Sequence, residues 1–260
     1  MTENNATHTI TTNGGERELV MERLFDAPRK LVFQVFTEPE HVARWWPPFG
    51  FTIPVCTIDL RPGGPYSVER EVEDFDALIT AAGGSAYVYG TSGTAILALE
   101  VAARGLAGRI KKLALWEPSY IVDDSRPPLP QDYQEQLKKL LRESRRGDML
   151  ELFFTKAVDM PVEFVAMMRQ APFWPAQEAV AHTLIDDATF TRDLSLPKER
   201  IATVTVPTLV IDGGQTPWLS HAAQAVAEIL PHAQRRTIAG QPHNVDPEAL
   251  VPVLVEFFKG

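Results

Sequence analysis

A serine set between a strand-like run and a helix-like run constrains this chain more than any other feature. The apolar run Ala86 to Tyr89 is followed by Gly90-Thr91-Ser92-Gly93 and then by the small and apolar residues Ala95 to Ala103. The first run is typical of a strand and the second of a buried helix, so the residues between them form a sharp turn. Such a turn places the Ser92 hydroxyl at a helix N-terminus, where free N–H groups stabilise negative charge. Ser92 is therefore the candidate nucleophile, and the N–H of Gly93 is the candidate oxyanion donor.

His243 is the candidate general base. It lies in the segment Gly240 to Val245, directly after the predicted strand Arg235 to Ile238. A neutral imidazole accepts a hydroxyl proton near neutral pH. The position of His243 after the last predicted strand, and its place after Ser92 in the chain, resemble the α/β-hydrolases, whose triads run in the order serine, acid, histidine. The remaining histidines are interpreted as surface residues: His8, His41, His182, His221 and His232.

Composition limits the classes of partner and cofactor. The chain has 260 residues, of which 45% are hydrophobic, enough for one large α/β domain or two small ones. The net charge of −9 disfavours nucleic acid and anionic membranes as partners. No apolar run reaches the length of a membrane span or of a signal core, so we expect a cytoplasmic protein. A single cysteine, Cys56, excludes an intrachain disulfide, and we assign no metal and no cofactor.

The pattern along the chain predicts two unequal parts that follow a disordered tail at residues 1–15. Residues 16–64 indicate strand, helix, helix and strand. From 65 to 260 helices and strands alternate, which is typical of a parallel α/β sheet. A largely helical stretch at about 126–200 is predicted to form a cap over the candidate site.

Two segments of the first part resemble a known family. RLFDAPRKLVFQVFTEPEHVARWW, Arg23 to Trp46, and DLRPGG, Asp59 to Gly64, resemble the start of the Activator of Hsp90 ATPase homologue 1-like proteins. That family belongs to the START/SRPBCC superfamily, whose helix-grip fold encloses an apolar ligand cavity. The resemblance covers about the first fifty residues of such a domain and implies an α+β fragment.

The second part, Pro65 to Gly260, is similar to the α/β-hydrolase superfamily from the helix before the nucleophile strand onwards. Ser92 would occupy its nucleophile elbow, although Thr94 stands where the usual G-x-S-x-G pattern has its last glycine. The strands that precede this helix in the superfamily, and the loop that carries the second oxyanion donor, are not found. The fold class expected is a parallel-sheet α/β-hydrolase-like core with a helical cap, fused behind a START-like fragment. We also expect a homo-oligomer that covers the open edge of the sheet.

The resemblance leaves the acid of the triad open among several carboxylates. In most such hydrolases the acid follows the strand that here ends at Asp212, but the expected position holds Thr216, which carries no charge. Glu117 follows an earlier apolar strand, as in the haloalkane-dehalogenase-like arrangement, and a charge there needs a partner. We rank Glu117 first, Asp212 second, and Asp123 or Asp124 third.

The resemblance implies a serine hydrolase that acts on an ester-like small molecule with an apolar acyl group, impaired by the missing oxyanion loop. The alternative is a START-like ligand-binding or chaperone-binding protein whose hydrolase part is inactive.

Overall fold

The computed structural model describes two strand segments near the N-terminus, six further positions and the whole of residues 66–260. The strand segments are His8–Thr12 and Leu19–Arg23, and the six positions are Leu31, Gln34, Val35, Glu38, Glu40 and His41. Two compact units, Met1–Gly64 and Pro65–Gly260, divide the chain.

The first unit contains an antiparallel pair of strands, β1 (His8–Thr12) and β2 (Leu19–Arg23), in which Ile10 lies opposite Met21. The prediction of a disordered tail at residues 1–15 is therefore wrong, because β1 lies within these residues. Its threonines and isoleucine favour extended backbone, and pairing with β2 satisfies its backbone groups. Positions 31, 34, 35, 40 and 41 are helical, within the two predicted helices. The last of the strands predicted within residues 16–64 lies outside the described residues.

The second unit is built on a parallel sheet of the order β3-β4-β5-β6. Its strands are β3 (Ala86–Thr91), β4 (Ile110–Trp116), β5 (Thr208–Gly214) and β6 (Ala233–Gln241). The end of β4 and most of β5 are buried on both faces, which is why these segments are continuously apolar rather than alternating. The α/β class with a parallel sheet is confirmed.

Helices connect the strands and cover both faces of this sheet. Before β4 lie α1 (Val68–Ala81) and α2 (Gly93–Val101), and π-helical and 3₁₀ turns at Ala102–Leu106 and Ala107–Arg109 extend α2. Between β4 and β5 lie α3 (Tyr133–Arg142), α4 (Arg146–Leu152), α5 (Val162–Met168), α6 (Trp174–Val180), α7 (Leu184–Thr191) and α8 (Lys198–Ile201), with turns at Phe153–Ala157 and Ala181–Thr183. The last two are α9 (Pro217–Ile229) and α10 (Pro247–Lys259). None of the helices in the described residues combines the length and the apolarity that crossing a membrane requires.

Two apolar clusters hold the sheet between its helices. The smaller one joins Trp116, Leu209 and Ile211 to Leu250 of α10. The larger one unites α2, α9 and the helices between β4 and β5. Because apolar clusters pack on both faces of β4 and β5, the ends of these two strands are fixed relative to one another.

Strand β3 lies at one end of the sheet, and among the described strands it pairs with β4. Tyr87 is 51% exposed and Tyr89 39% exposed. The Tyr87 ring packs against Phe258 of α10, with 5.1 Å between ring centroids. The strand that leads to Ser92 therefore carries accessible aromatic side chains.

Candidate active site

The backbone at Ser92 is strained, and hydrogen bonds of the Thr94 side chain hold the turn around it. Ser92 has φ 54° and ψ −124°, a conformation that residues other than glycine rarely adopt. Thr94 closes the turn, since its Oγ1 accepts from Thr91 N–H at 2.9 Å and donates to the Thr91 carbonyl at 2.7 Å. A Cβ at Gly90 would lie 2.7 Å from the Thr94 carbonyl oxygen and 2.8 Å from Ala95 Cα. Glycine is thus required at position 90, and the Thr94 side chain stabilises the turn.

The turn is also tied to the neighbouring strand, because Ser92 N–H donates to the Trp116 carbonyl at 2.9 Å. Helix α2 begins at Gly93, whose N–H is one of the first groups of the helix and has no partner within it. The candidate oxyanion donor therefore points out of the N-terminus of α2, beside Ser92.

Glu117 and His243 are brought together across 126 positions of sequence. Glu117 is 1% exposed, and its φ of 43° turns the chain sharply at the end of β4. One carboxylate oxygen, Oε1, accepts from Gly213 N–H at 2.9 Å, and the other lies 2.6 Å from His243 Nδ1. When Nδ1 carries the proton of a neutral imidazole, Nε2 is left as the acceptor. The His243 side chain is 36% exposed, so its ring lies at the surface of the site.

The loop that carries His243 is anchored to β4. Trp116 Nε1 donates to the His243 carbonyl at 2.9 Å, and Asp246 N–H donates to Gln241 Oε1 at 3.0 Å. Because Trp116 also accepts from Ser92 N–H, one residue at the end of β4 touches both the nucleophile turn and the base loop.

Asp212, the second-ranked acid, is hydrogen-bonded to residues other than His243. Its carboxylate is fully buried and accepts from Ser220 Oγ at 3.0 Å, from Arg235 at 2.9 and 3.1 Å, and from Thr237 Oγ1 at 3.1 Å. Of the third-ranked pair, Asp123 binds Ser125 and lies 2.6 Å from His221 Nδ1. The carboxylate that reaches His243 is thus that of Glu117.

Ser92 Oγ makes its hydrogen bond to a residue that the sequence analysis did not single out. Its partner is Ser119 Oγ, at 2.8 Å, and within residues 66–260 no hydrogen bond joins Ser92 to His243. Ser119 follows Glu117 by two positions in the loop after β4. The available signal was a small polar residue at the C-terminal end of a strand next to the nucleophile strand, a place where site residues collect in parallel sheets.

The end of α7 lies over the start of α2. A Cβ built on Gly93 would meet Phe190 Cζ and the Thr191 methyl group at 4.0 Å. On the same helix, burial and then the neighbouring charges of Asp186 and Glu71 together raise the pKa of Asp187 to about 6.

A cavity of about 600 Å³ lies between the segment before α3 and the end of α7. Its lining is mixed apolar and polar, and includes Ile121, Leu129, Tyr133, Thr189 and Arg192. The same part of the chain, residues 66–260, contains no group of three His, Cys, Asp or Glu side chains that could hold a metal ion.

Comparison with known proteins identifies relatives of both parts of the chain. Residues 26–82 match the family model of the Activator of Hsp90 ATPase homolog 1-like protein, a match that extends past Gly64 and through α1. An α/β hydrolase from Sphaerobacter thermophilus is 51% identical over 75% of this chain and 76% of its own, with a TM-score of 0.71. Comparison with curated proteins finds no significant match.

More distant solved structures share the fold. A hydrolase from Pseudomonas aeruginosa is 21% identical over 76% of this chain and 74% of its own, with a TM-score of 0.53. A hydrolase from Oleispira antarctica is 17% identical over 75% and 73% of the two chains, with a TM-score of 0.53.

Proposed function

Because the chain belongs to the α/β hydrolase family, we propose that it is a serine hydrolase that cleaves an ester-like small-molecule substrate. The observation that carries the proposal is the buried carboxylate of Glu117, which lies 2.6 Å from His243 Nδ1 at the end of the strand beside the Ser92 turn. A buried carboxylate that orients an imidazole is the support that a serine nucleophile needs.

The reaction is an acyl transfer in two halves. His243 Nε2 takes the proton of Ser92 Oγ, and Ser92 attacks the carbonyl carbon of the substrate. Glu117 keeps the proton of the neutral imidazole on Nδ1 and stabilises the imidazolium that forms. His243 gives that proton to the leaving alcohol. Water then attacks the acyl-enzyme with His243 again as base, and Ser92 Oγ takes the proton from His243 as the acid product leaves.

The resting hydrogen bond of Ser92 to Ser119 requires one adjustment before attack. The gap between Ser92 Oγ and His243 Nε2 closes when substrate binds, and the Ser92 hydroxyl proton turns toward Nε2 while Oγ stays in contact with Ser119. Hydrogen bonds of this kind are commonly long or absent before substrate binds and form in the reactive complex.

Charge on the substrate oxygen is stabilised by Gly93 N–H at the start of α2. The loop that supplies a second donor in the family is not found in the sequence. Loss of one such donor lowers kcat about 10²- to 10³-fold. We therefore expect a slow enzyme rather than an inactive one.

The substrate class proposed is a small ester with an apolar acyl group. In support, the cavity of about 600 Å³ is lined in part by Ile121, Leu129 and Tyr133, and pockets of this size bind small molecules. Ile121 of its lining follows Ser119 by two positions, but the lining within residues 66–260 does not include Ser92, Ser119 or His243, so the cavity lies beside the candidate site rather than at it.

A fluorophosphonate probe tests the proposal on the full chain. We expect covalent labelling of the wild-type protein, mapped by peptide analysis to Ser92, and no labelling of Ser92→Ala. His243→Ala should label at least about 10³-fold more slowly, because the group that accepts the Ser92 proton is removed. Circular dichroism of each variant establishes that the fold is intact. A folded wild-type protein that the probe does not label would refute the proposal.

The second candidate is a START-like ligand-binding or chaperone-binding protein with an inactive hydrolase unit. It is favoured by the family match at residues 26–82. Its signature would be thermal stabilisation by lipids or aromatic compounds that is unchanged in Ser92→Ala, in a protein that the probe leaves unlabelled.

A further inference from the structure

The backbone brings Ser119 beside the candidate nucleophile. Its Oγ lies 2.8 Å from Ser92 Oγ, a normal distance for an O–H···O hydrogen bond. Ser119 is 8% exposed, so bulk water competes little for its hydroxyl. A buried hydroxyl in contact with a reacting atom is a candidate for a part in the chemistry.

Hydrogen bonds on either side fix the position of Ser119. Before it, the Trp116 carbonyl accepts from Ser92 N–H at 2.9 Å, which ties the nucleophile turn to the end of β4. After it, Ile121 N–H donates to the Leu194 carbonyl at 2.8 Å. The backbone on both sides of Ser119 is therefore held in place beside the nucleophile turn.

The direction of the hydrogen bond follows from burial. The Ser119 proton has two acceptors in reach, Ser92 Oγ at 2.8 Å and the Glu117 carbonyl at 3.5 Å. The second distance is beyond the usual range for an O–H donor. A buried donor without an acceptor is costly, so Ser119 donates to Ser92 Oγ. Ser92, which is half-buried, keeps its own proton for transfer to His243.

We infer that Ser119 is a second hydroxyl of the catalytic machinery, which donates to Ser92 Oγ while that atom forms and breaks its bond to the acyl carbon. The inference rests on the proposed function. As the Ser92 proton moves to His243 Nε2, the Oγ–C bond forms and an electron pair of the C=O bond moves to the carbonyl oxygen. That pair returns as the bond to the leaving alcohol breaks and His243 gives the alcohol its proton. In deacylation water adds to the acyl carbon as His243 takes a proton from it, and when this second intermediate collapses the C–Oγ bond breaks and Oγ takes the proton back from His243.

Ser119 gives up no proton in either half of the reaction. Its contribution arises because Oγ carries partial negative charge in both transition states, and a hydrogen bond to a charged oxygen is stronger than one to a neutral hydroxyl. The same bond fixes the position of Oγ relative to the oxyanion donor, Gly93 N–H.

The test compares Ser119→Ala and Ser119→Thr with the wild-type protein. The measurements are the second-order rate of fluorophosphonate labelling at Ser92, and kcat and KM for p-nitrophenyl butyrate. We expect Ser119→Ala to lower the labelling rate and kcat about 10- to 100-fold. KM should stay within about twofold, since the bond is to a reacting atom and not to bound substrate. Ser119→Thr keeps the hydroxyl and should restore most of both rates.

A matched control is Ser125→Ala, which removes a hydroxyl that donates to Asp123 on an exposed loop. It should leave the labelling rate and kcat unchanged. Circular dichroism and thermal melting show whether each variant keeps its fold. Should Ser119→Ala fail to fold, Ser119→Cys, of similar shape but with a weak donor, takes its place, with the same loss expected.

The outcomes separate this inference from the proposed function. Labelling of the wild-type protein with an unchanged rate in folded Ser119→Ala or Ser119→Cys overturns the role of Ser119 and leaves the hydrolase proposal standing. Equal losses in folded Ser119→Ala and Ser119→Thr also overturn it, because the hydroxyl is then not the group that acts. No labelling of the wild-type protein overturns both.

Discussion

Replacing Glu117 by glutamine perturbs the candidate site at one atom, because the shape of the side chain is kept. In the native protein each carboxylate oxygen has its own donor: Gly213 N–H at 2.9 Å and His243 Nδ1 at 2.6 Å. A glutamine has one carbonyl oxygen and one NH₂ group, so it satisfies one of these donors and presents a second donor to the other.

The size of the effect depends on which of the two donors, Gly213 N–H or His243 Nδ1–H, bonds to the single carbonyl oxygen of the glutamine. Gly213 N–H is fixed in β5, whereas an imidazole changes tautomer by moving one proton, so the amide oxygen stays on Gly213. The NH₂ group then faces His243 Nδ1, which becomes the acceptor, and Nε2 carries the proton. That tautomer cannot accept the proton of Ser92, and the equivalent change in a Ser-His-Asp triad lowers kcat about 10⁴-fold. The opposite orientation leaves a buried donor unsatisfied, at a cost of about 1–3 kcal/mol.

We expect Glu117→Gln to lower the rate of fluorophosphonate labelling about 10³- to 10⁴-fold in a protein that still folds. The comparison variant is Asp212→Asn, which weakens the network with Ser220, Arg235 and Thr237 but leaves the tautomer of His243 unchanged. Its labelling rate should fall less than about tenfold. The reasoning is refuted if Asp212→Asn is the slower of the two, or if Glu117→Gln labels within about tenfold of the wild-type rate.

Two further predictions concern stability and the nucleophile turn. Asp187→Asn should raise the free energy of unfolding by about 1–2 kcal/mol at about pH 8, a figure reduced for partial exposure. Burial raises the pKa of Asp187 to about 6, so its charge destabilises the folded state above that pH. The gain should vanish as the pH falls through 6 to about 4, and urea titrations that show a pH-independent gain would contradict this cause. Gly90→Ala should abolish labelling and destabilise the fold by about 1–3 kcal/mol, because the new Cβ would lie 2.7 Å from the Thr94 carbonyl oxygen. Gly108→Ala, with nothing within 4 Å of its Cβ, is the control, and equal melting temperatures for the two variants would show that the turn tolerates a side chain.

The turn at Ser92 could be predicted from the sequence because its signals are local. Small residues flank the serine, and an apolar run lies on each side within ten residues or so, which is enough to specify strand, turn and helix. The part that Thr94 plays could not be predicted. Thr94 stands where the usual pattern has glycine, and it stabilises the turn through two hydrogen bonds to Thr91. A pattern of residue types carries no information on such bonds.

The choice between two carboxylates depends on strand geometry that the sequence leaves open. Strand β5 was expected to end at Asp212 but continues to Gly214. Asp212 is therefore an ordinary strand residue, paired with Thr237 of β6. Glu117 lies beyond the end of β4, where its φ of 43° redirects the chain. A difference of two residues in where a strand ends thus decides which side chain turns toward His243.

The contact between Ser92 and Ser119 was not predictable, because serine is common in loops and a serine two positions after a carboxylate indicates no particular function. The contact depends on the parallel register that sets Thr91 opposite Trp116. Register between strands is a long-range property, and one sequence without its structure determines it poorly.

Because of that register, β4 contacts both the turn that carries Ser92 and the loop that carries His243. Trp116, its last residue, binds the Ser92 turn through its carbonyl and the His243 loop through its indole N–H. The loop that leaves it carries Glu117 and Ser119. Leu113, Leu115 and Trp116 are fully buried, so slipping β4 by one residue would turn core side chains to the wrong face.

We therefore expect the candidate site to be lost together with the packing of β4. No small displacement of β4 removes one of its members and spares the rest, and the packing that forbids such displacements is the packing of the core itself. Thermal inactivation would then coincide with melting of the sheet, with no intermediate temperature range in which a folded protein has a partly dismantled site.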